Sequence, residues 1–232
     1  MGRSPADGID LAALPAIAVP PKPTARGTGV FVASGILFAT AVGEYIAAHV
    51  LLKRQCLQAL ALLDPLSEET GEEVTACSAS MLQAAALKLH GSINALASVG
   101  VAAAGGSIRA RHDAHRDVFE SGRHHQTQNL RTAGAAMLGV GLFTWLGSAA
   151  GTWASTVACD DLDCVERLRG AQTALTLSSF ALVTVGTGVL TYGLLYERRY
   201  AENATIYGHI QRLQLLTTAR RGQVGVHLVG QF

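Results

Sequence analysis

Charge is scarce in this chain of 232 residues: Asp, Glu, Lys and Arg make up 15% of it, and aromatic residues only 6%. Soluble domains carry about 25% charged residues, spread along their length. Here the charges are crowded between long stretches that have almost none, which is typical of a membrane protein. The net charge of +1 gives no general attraction for nucleic acid, so we expect no nucleic-acid partner.

The sequence also lacks the motifs of common catalytic sites. It has no Gly-rich phosphate loop followed by Lys, and neither a nucleophile with its base nor a pair of catalytic carboxylates can be assembled at a plausible depth. We therefore expect a protein that is not an enzyme and needs no cofactor or metal.

Four windows have the length that crossing a bilayer requires, about 20 predominantly apolar residues. They cover residues 27–52, 80–105, 132–157 and 170–196. The sequence therefore predicts an all-α membrane protein, a bundle of four transmembrane helices in the lipid bilayer. The alternative is a soluble bundle of buried Ala-rich helices, and it is disfavoured because such long helices normally show a polar face.

The segments that flank the windows differ from each other. Residues 1–26 contain several prolines, which favour extended backbone, and we predict a flexible N-terminal segment. Residues 197–232 form a tail in which two β-prone runs, 213–219 and 224–232, surround a Gly-containing turn. This pattern predicts a short C-terminal β-hairpin. Because a lone hairpin is marginally stable, we expect it to dock on another surface.

Basic residues set the orientation, because Lys and Arg are retained on the cytoplasmic side. Thirteen of the 18 lie in the N-terminal segment, in the loop after the second window and in the tail, whereas the other two loops hold four, Lys53, Arg54, Arg167 and Arg169. We expect a multi-pass protein of the cell membrane with both termini in the cytoplasm.

All four cysteines fall in the two loops that this count places outside: Cys56, Cys77, Cys159 and Cys164. Such loops are oxidising in most cells, so we expect two disulfides. The simplest pairing joins Cys56 to Cys77 and Cys159 to Cys164, although four cysteines allow three pairings.

Four helices with both termini inside and two outward cysteine pairs resemble the layout of the quinone-linked thiol oxidases that recharge periplasmic disulfide donors. That family carries Cys-x-x-Cys in its first outer loop. Here the first-loop cysteines are far apart, and the second pair is CDDLDC, with four residues between. The resemblance covers topology alone and implies a membrane thiol–disulfide oxidoreductase as one alternative function. A metal site in CDDLDC is disfavoured because thiolates and carboxylates suit different metals.

Two ionisable residues lie well inside the first two windows, Glu44 and Lys88. A charged group at the centre of a transmembrane helix costs about 2.5–3.5 kcal/mol on insertion scales. Each is eight residues from the outer end of its window, a depth of about 12 Å. We predict an intramembrane ion pair between them. The alternative is that Lys88 reaches towards the surface while Glu44 is protonated or faces water.

The histidines and glycines give weaker signals. His49 and His90 lie about 5 Å and 15 Å deep, and because two axial haem ligands should be level we expect no haem. The loop after the second window mixes histidine with acid and is either a solvated polar loop or a transition-metal site: His112, His115, His124, His125, Asp113, Asp117 and Glu120. Gly147 and Gly151 have the GxxxG spacing that lets helices pack closely in lipid.

These observations predict an integral membrane protein of structural, anchoring or assembly type. We expect it to form a homo-oligomer or to bind a protein partner through the basic loop and the hairpin. Besides the oxidoreductase, the alternative function is a small channel or transporter subunit in which Glu44 and Lys88 line a polar route.

Overall fold

The computed structural model describes residues 20–54, 70–158, 162–212, 214–220 and 223–229. In these residues four long helices follow one another: α1 (Thr28–Leu52), α2 (Thr70–Arg116), α3 (Gln128–Ala158) and α4 (Leu162–Arg212). A π-helix, Asp117–Ser121, continues α2. All four helices contain stretches long and apolar enough to cross a membrane. The predicted all-α fold with four candidate transmembrane helices is confirmed, and the chain is by class a multi-pass helical membrane protein.

Two of the helices are much longer than a membrane is thick. α2 has 47 residues and α4 has 51, which correspond to about 70 Å and 75 Å against a hydrocarbon core of about 30 Å. Both must therefore project beyond the bilayer. We call the end of the bundle that holds residues 109–127 and the last turns of α4 the tail end, and the end that holds Cys77 and Cys164 the cysteine end.

α2 and α4 run parallel at the centre of the bundle, with α1 packed on α2 and α3 packed on α4. The Ser98 and Thr184 hydroxyls lie 3.2 Å apart across the central pair. Closer to the tail end, a Cβ atom on Gly106 would lie 2.5 Å from the carbonyl oxygen of Gly188. The two backbones are in direct contact there, and glycine is the residue that permits it.

Small residues at seven-residue spacing form the seam between α1 and α2. On the α1 side they are Gly27, Ser34, Ala41 and Ala48, and on the antiparallel α2 they are Gly105, Ser98, Gly91, Ala84 and Cys77, all of them buried. The Ser34 hydroxyl donates to the carbonyl oxygen of Ser98 at 2.8 Å. A seven-residue repeat keeps one helix face on its partner, so the register continues from turn to turn.

The seam between α3 and α4 repeats this design. Its buried positions are Thr127, Gly134, Gly141 and Ser148 opposite Gly193, Gly186, Ser179 and the half-buried Gln172. A Cβ on Gly134 would lie 3.0 Å from the carbonyl oxygen of Gly186, and one on Gly141 would lie 3.0 Å from that of Ser179. Both hairpins of helices are thus held by close backbone approach, which replaces the hydrophobic drive that lipid cannot supply.

The chain after α4 carries two segments of extended backbone, β1 (Gln214–Arg220) and β2 (Gln223–Val229). Their register sets Gln214 opposite Val229.

Candidate functional site

Three polar side chains meet inside the membrane-spanning part of α1 and α2, and we call them the membrane cluster: Glu44, His90 and Asn94. The Glu44 carboxylate is paired with Nδ1 of His90. Asn94 Nδ2 donates to the same carboxylate, at 3.1 Å to Oε2 and 3.3 Å to Oε1. His90 and Asn94 are one helical turn apart, so both face α1. Both α2 side chains therefore bond to the same carboxylate through charge-assisted hydrogen bonds.

The membrane cluster is open to the outside of the bundle on one side. The Glu44 side chain is 15% exposed, whereas the His90 side chain is 64% exposed. By the register of the α1–α2 seam, His90 is level with Val42, two residues or about 3 Å from Glu44 along the helix axis. An ionisable side chain inside a membrane span usually faces a polar partner or a water-filled cavity.

Lys88 lies apart from the membrane cluster. It is two residues from His90 and therefore about 200° away around α2. Lys88 is half-buried, and the charge that acts on it from a neighbouring helix is Arg169 of α4. Among the described contacts, Glu44 bonds to His90 and Asn94, and no ion pair between Glu44 and Lys88 is among them.

The equal depth predicted for Glu44 and Lys88 agrees with the seam register, which sets position 88 level with position 44. Their separation arises from the direction in which each side chain points. Sequence reasoning missed His90 and Asn94 as partners of Glu44. A signal was present, because the depths of Glu44 and His90 differ by about 3 Å and Asn94 follows His90 by one turn.

A second polar group, the tail-end cluster, surrounds two buried carboxylates beyond the spanning part of α2, Asp113 and Asp117. The Tyr196 hydroxyl donates to Asp117 Oδ2 at 2.9 Å, and His125 Nδ1 lies 2.8 Å from the same oxygen. Asp113 accepts from Arg109 Nε at 2.8 Å. The cluster ties the α2–α3 connection to α4.

Local structure explains why the tail-end cluster forms. Gly122 adopts a left-handed conformation with φ 62°, which ends the π-helix and turns the chain back towards α4. The Thr127 hydroxyl then donates to Glu197 Oε1 at 2.7 Å, and His124 Nε2 lies 3.2 Å from Glu197 Oε2. Tyr196 stacks between its neighbours one turn away, with ring centroids 5.9 Å apart on each side.

The carboxylates at the tail end favour their charged form. Burial raises the pKa of Asp117, but hydrogen bonds from Tyr196 and His125 outweigh it, and the pKa lies below its ordinary value of 3.8. For Glu197 the hydrogen bond from Thr127 is the largest cause, and it lowers the pKa. Both groups are thus anions that hold their donors in place.

The histidines of the α2–α3 connection are distributed over separate contacts. His124 contacts Glu197 and His125 contacts Asp117. His112 Nδ1 lies 3.2 Å from Asp113, and His115 Nε2 lies 3.0 Å from the Pro20 carbonyl oxygen. Across the described ranges of the chain, no three such side chains converge as metal ligands. The transition-metal alternative therefore gains no support from this geometry.

The other predicted sites lie elsewhere. Neither Cys77 nor Cys164 is a free thiol, and both are at the cysteine end, while Cys56 and Cys159 lie outside the described residues. Gly147 faces open space and Gly151 approaches only the end of Gln172, at 3.6 Å. Close helix packing uses Gly134, Gly141, Gly186 and Gly193 in place of that GxxxG pair.

No protein-family model matches the chain, and neither a curated protein nor a solved structure matches it.

Proposed function

We propose that this chain is a structural membrane protein that assembles with a second copy of itself through the face of α1 and α2 that carries the membrane cluster. The observation that carries this proposal is the exposed His90 paired with Glu44. A charged group left against lipid at the centre of a helix costs about 2.5–3.5 kcal/mol. A protein surface with complementary polar groups removes that cost.

The membrane cluster is complementary to itself. Glu44 and His90 lie at nearly the same depth on adjacent helices. A two-fold axis along the membrane normal would therefore set Glu44 opposite His90 of the partner subunit. Small side chains flank the cluster on its exposed side, Ala47 on α1 and Ala86 and Ala97 on α2, and small residues allow helices of two subunits to approach closely.

The packing of the helices inside the bundle favours a structural function over that of a channel. The seams are closed by backbone contact at three places: Gly27 against Gly105, Gly106 against Gly188, and Gly134 against Gly186. Contacts of this kind leave no width for a water-filled pore at those levels. The ionisable side chains of the membrane cluster instead lie on the outer face, and those of the tail-end cluster lie at the tail end, where partners would bind.

The tail end supplies a second surface for assembly. We propose that it faces the cytoplasm together with both termini, because most basic residues flank it. α4 continues for 15 residues beyond Glu197, about 22 Å of helix. The hairpin of β1 and β2 follows and would dock on a partner, because two strands are marginally stable alone.

Oligomeric mass tests the proposal. The purified wild-type protein should be a dimer by light scattering in mild detergent and by subunit counting in bilayers. Glu44→Ala with His90→Ala should shift it to monomer. Phe143→Ala, which changes a side chain 80% exposed on α3, is the matched control and should stay dimeric. A monomeric wild type, or a dimer that survives the double substitution, would refute self-assembly through this face.

A second candidate function is a small transporter, favoured by an apolar groove of about 510 Å³ between α1 and α4. Phe31, Phe38, Val185 and Val189 line it, and Arg109 and Asp113 lie at its polar end. Glu44 and Lys88, the residues predicted to line a polar route, are not among its described lining residues. Flux of an apolar solute in proteoliposomes that Val185→Trp abolishes would establish this function in place of the structural one.

A further inference from the structure

A small polar cavity at the tail end has the composition of an anion site. It has a volume of about 180 Å³ and lies between the proline segment 20–23, α2 and α4. Its polar lining consists of Arg111 and His115 from α2 and Arg199 and Asn203 from α4. At about 30 Å³ per water the cavity has room for a few waters or one tetrahedral oxyanion.

Two of these side chains have buried nitrogen atoms with no partner in the described structure, His115 Nδ1 and Arg199 Nε. His115 is 7% exposed, and its Nε2 atom donates to the Pro20 carbonyl oxygen at 3.0 Å. The imidazole is therefore fixed in place with Nδ1 unused. Buried polar atoms are nearly always satisfied by protein, water or ligand, so these two nitrogens point to a bound group.

The charge around the cavity favours an anion. Arg111 and Arg199 contribute two permanent positive charges, and no carboxylate is among the described lining residues. Glu202 is the nearby acid on α4, and it accepts from Arg199 NH1 at 2.8 Å, which leaves Nε of that guanidinium for another acceptor. On the α2 side, Glu120 is engaged by Lys22.

We propose that this cavity binds a phosphate group, with Arg111 and Arg199 as charge-assisted donors, Asn203 as a neutral donor and Nδ1 of His115 as a further hydrogen-bonding atom in the cavity wall. The cavity lies 6–10 residues beyond the end of the predicted window 80–105, about 9–15 Å along α2. The head-group layer on each side of the hydrocarbon core is about 5–8 Å thick, so the cavity lies at or just beyond its outer edge. The phosphate comes from an anionic lipid head group or from a soluble phosphate compound, and the chemistry of recognition is the same.

The test measures binding to the full chain in mild detergent with two probes. Inorganic phosphate is titrated by calorimetry, and retention of phosphatidylglycerol against phosphatidylcholine is measured by native mass spectrometry. Arg111→Gln with Arg199→Gln should weaken binding of whichever probe is bound by about tenfold or more. Arg198→Gln is the matched control, since Arg198 also pairs with Glu202 but is not described in the cavity lining.

The outcomes separate a lipid ligand from a soluble one and show whether the site exists. Loss of phosphatidylglycerol alone assigns a lipid head group, and loss of inorganic phosphate assigns a soluble ligand. Binding of neither probe by wild type, or equal loss in the Arg198→Gln control, overturns the site. Arg111→Gln alone changes an exposed side chain and keeps the test valid should the double variant fail to fold, because it should still weaken binding by a factor of several.

Discussion

Gly134 and Gly186 face each other across α3 and α4 so closely that a Cβ atom on Gly186 would lie 2.9 Å from the carbonyl oxygen of Gly134. Backbone meets backbone at this point, and no rotamer change can make room for a side chain. The same contact recurs seven residues away at Gly141 and Ser179. The two helices are therefore held in register by the sizes of a few residues.

We predict that Gly186→Ala destabilises the bundle. The added methyl group would lie 2.7 Å from the backbone nitrogen of Leu138, and overpacking of this kind costs about 1–3 kcal/mol. Gly147→Ala is the matched control, because a Cβ there meets nothing within 4 Å and alanine is the better helix former. Unfolding midpoints in mixed detergent measure both. Equal midpoints for the two variants would show that the α3–α4 seam accommodates a methyl group at position 186 without cost.

We predict that Glu44 is coupled energetically to His90 and not to Lys88. Hydrogen bonds that involve a charged group contribute about 1.5–3 kcal/mol, so a double-mutant cycle with Glu44→Gln and His90→Ala should show coupling of that order in a monomeric detergent state. The cycle of Glu44→Gln with Lys88→Met should be additive within about 0.5 kcal/mol. Coupling in the second cycle and additivity in the first would restore the ion pair predicted from the sequence.

These two predictions mark the limit of what the sequence could reveal. Apolar length was enough to find all four helices, because lipid contact demands it over about 20 residues. Depth could also be counted, and Glu44 and Lys88 are level as expected. The direction of each side chain around its helix depends on packing, which hydropathy does not report. That is why His90, two residues from Lys88, was not recognised as the partner of Glu44.

The helix ends were hidden for a different reason. The predicted windows 80–105 and 170–196 stop where charged residues begin, yet α2 continues to Arg116 and α4 to Arg212. Charge ends a membrane span without ending a helix, because water satisfies polar side chains on the next turns. The seam residues were readable in principle, since Gly27, Ser34, Ala41 and Ala48 recur at intervals of seven, a repeat that a search for GxxxG overlooks.

We predict that Asp117 makes the tail end sensitive to acid. Its pKa is lowered in the folded protein, so its contribution is present above about pH 4, the unfolded value, and is lost as pH falls through the folded-state pKa. Asp117→Asn should cost about 1.5–3 kcal/mol at neutral pH. It should also flatten the fall of the unfolding midpoint between about pH 4 and pH 2.

The control for Asp117 is Glu202→Gln, which removes an exposed carboxylate paired with Arg198 and Arg199. It should leave both the midpoint at neutral pH and its acid dependence unchanged, because exposed pairs contribute little. An acid response in Asp117→Asn as steep as in the wild type would assign the sensitivity to another group.

We predict that the disulfides join Cys56 to Cys77 and Cys159 to Cys164. Cys77 occupies a position of the α1–α2 seam one seven-residue step from Ala84, and in the sequence Cys56 follows the last residue of α1, Leu52, by four residues. The first bridge would close a loop of about 22 residues and stabilise the fold by about 3 kcal/mol, and the second would close a loop of six and contribute about 2 kcal/mol.

Peptide mapping under nonreducing conditions identifies the pairs, and Cys56→Ser should lower the unfolding midpoint more than Cys159→Ser. Peptides that link the two loops would contradict this pairing. Cysteines that a dithiol protein reduces by thiol–disulfide exchange, and that an added quinone then reoxidises while it is itself reduced to quinol, would instead establish the oxidoreductase alternative, since a structural bridge stays oxidised under the same conditions.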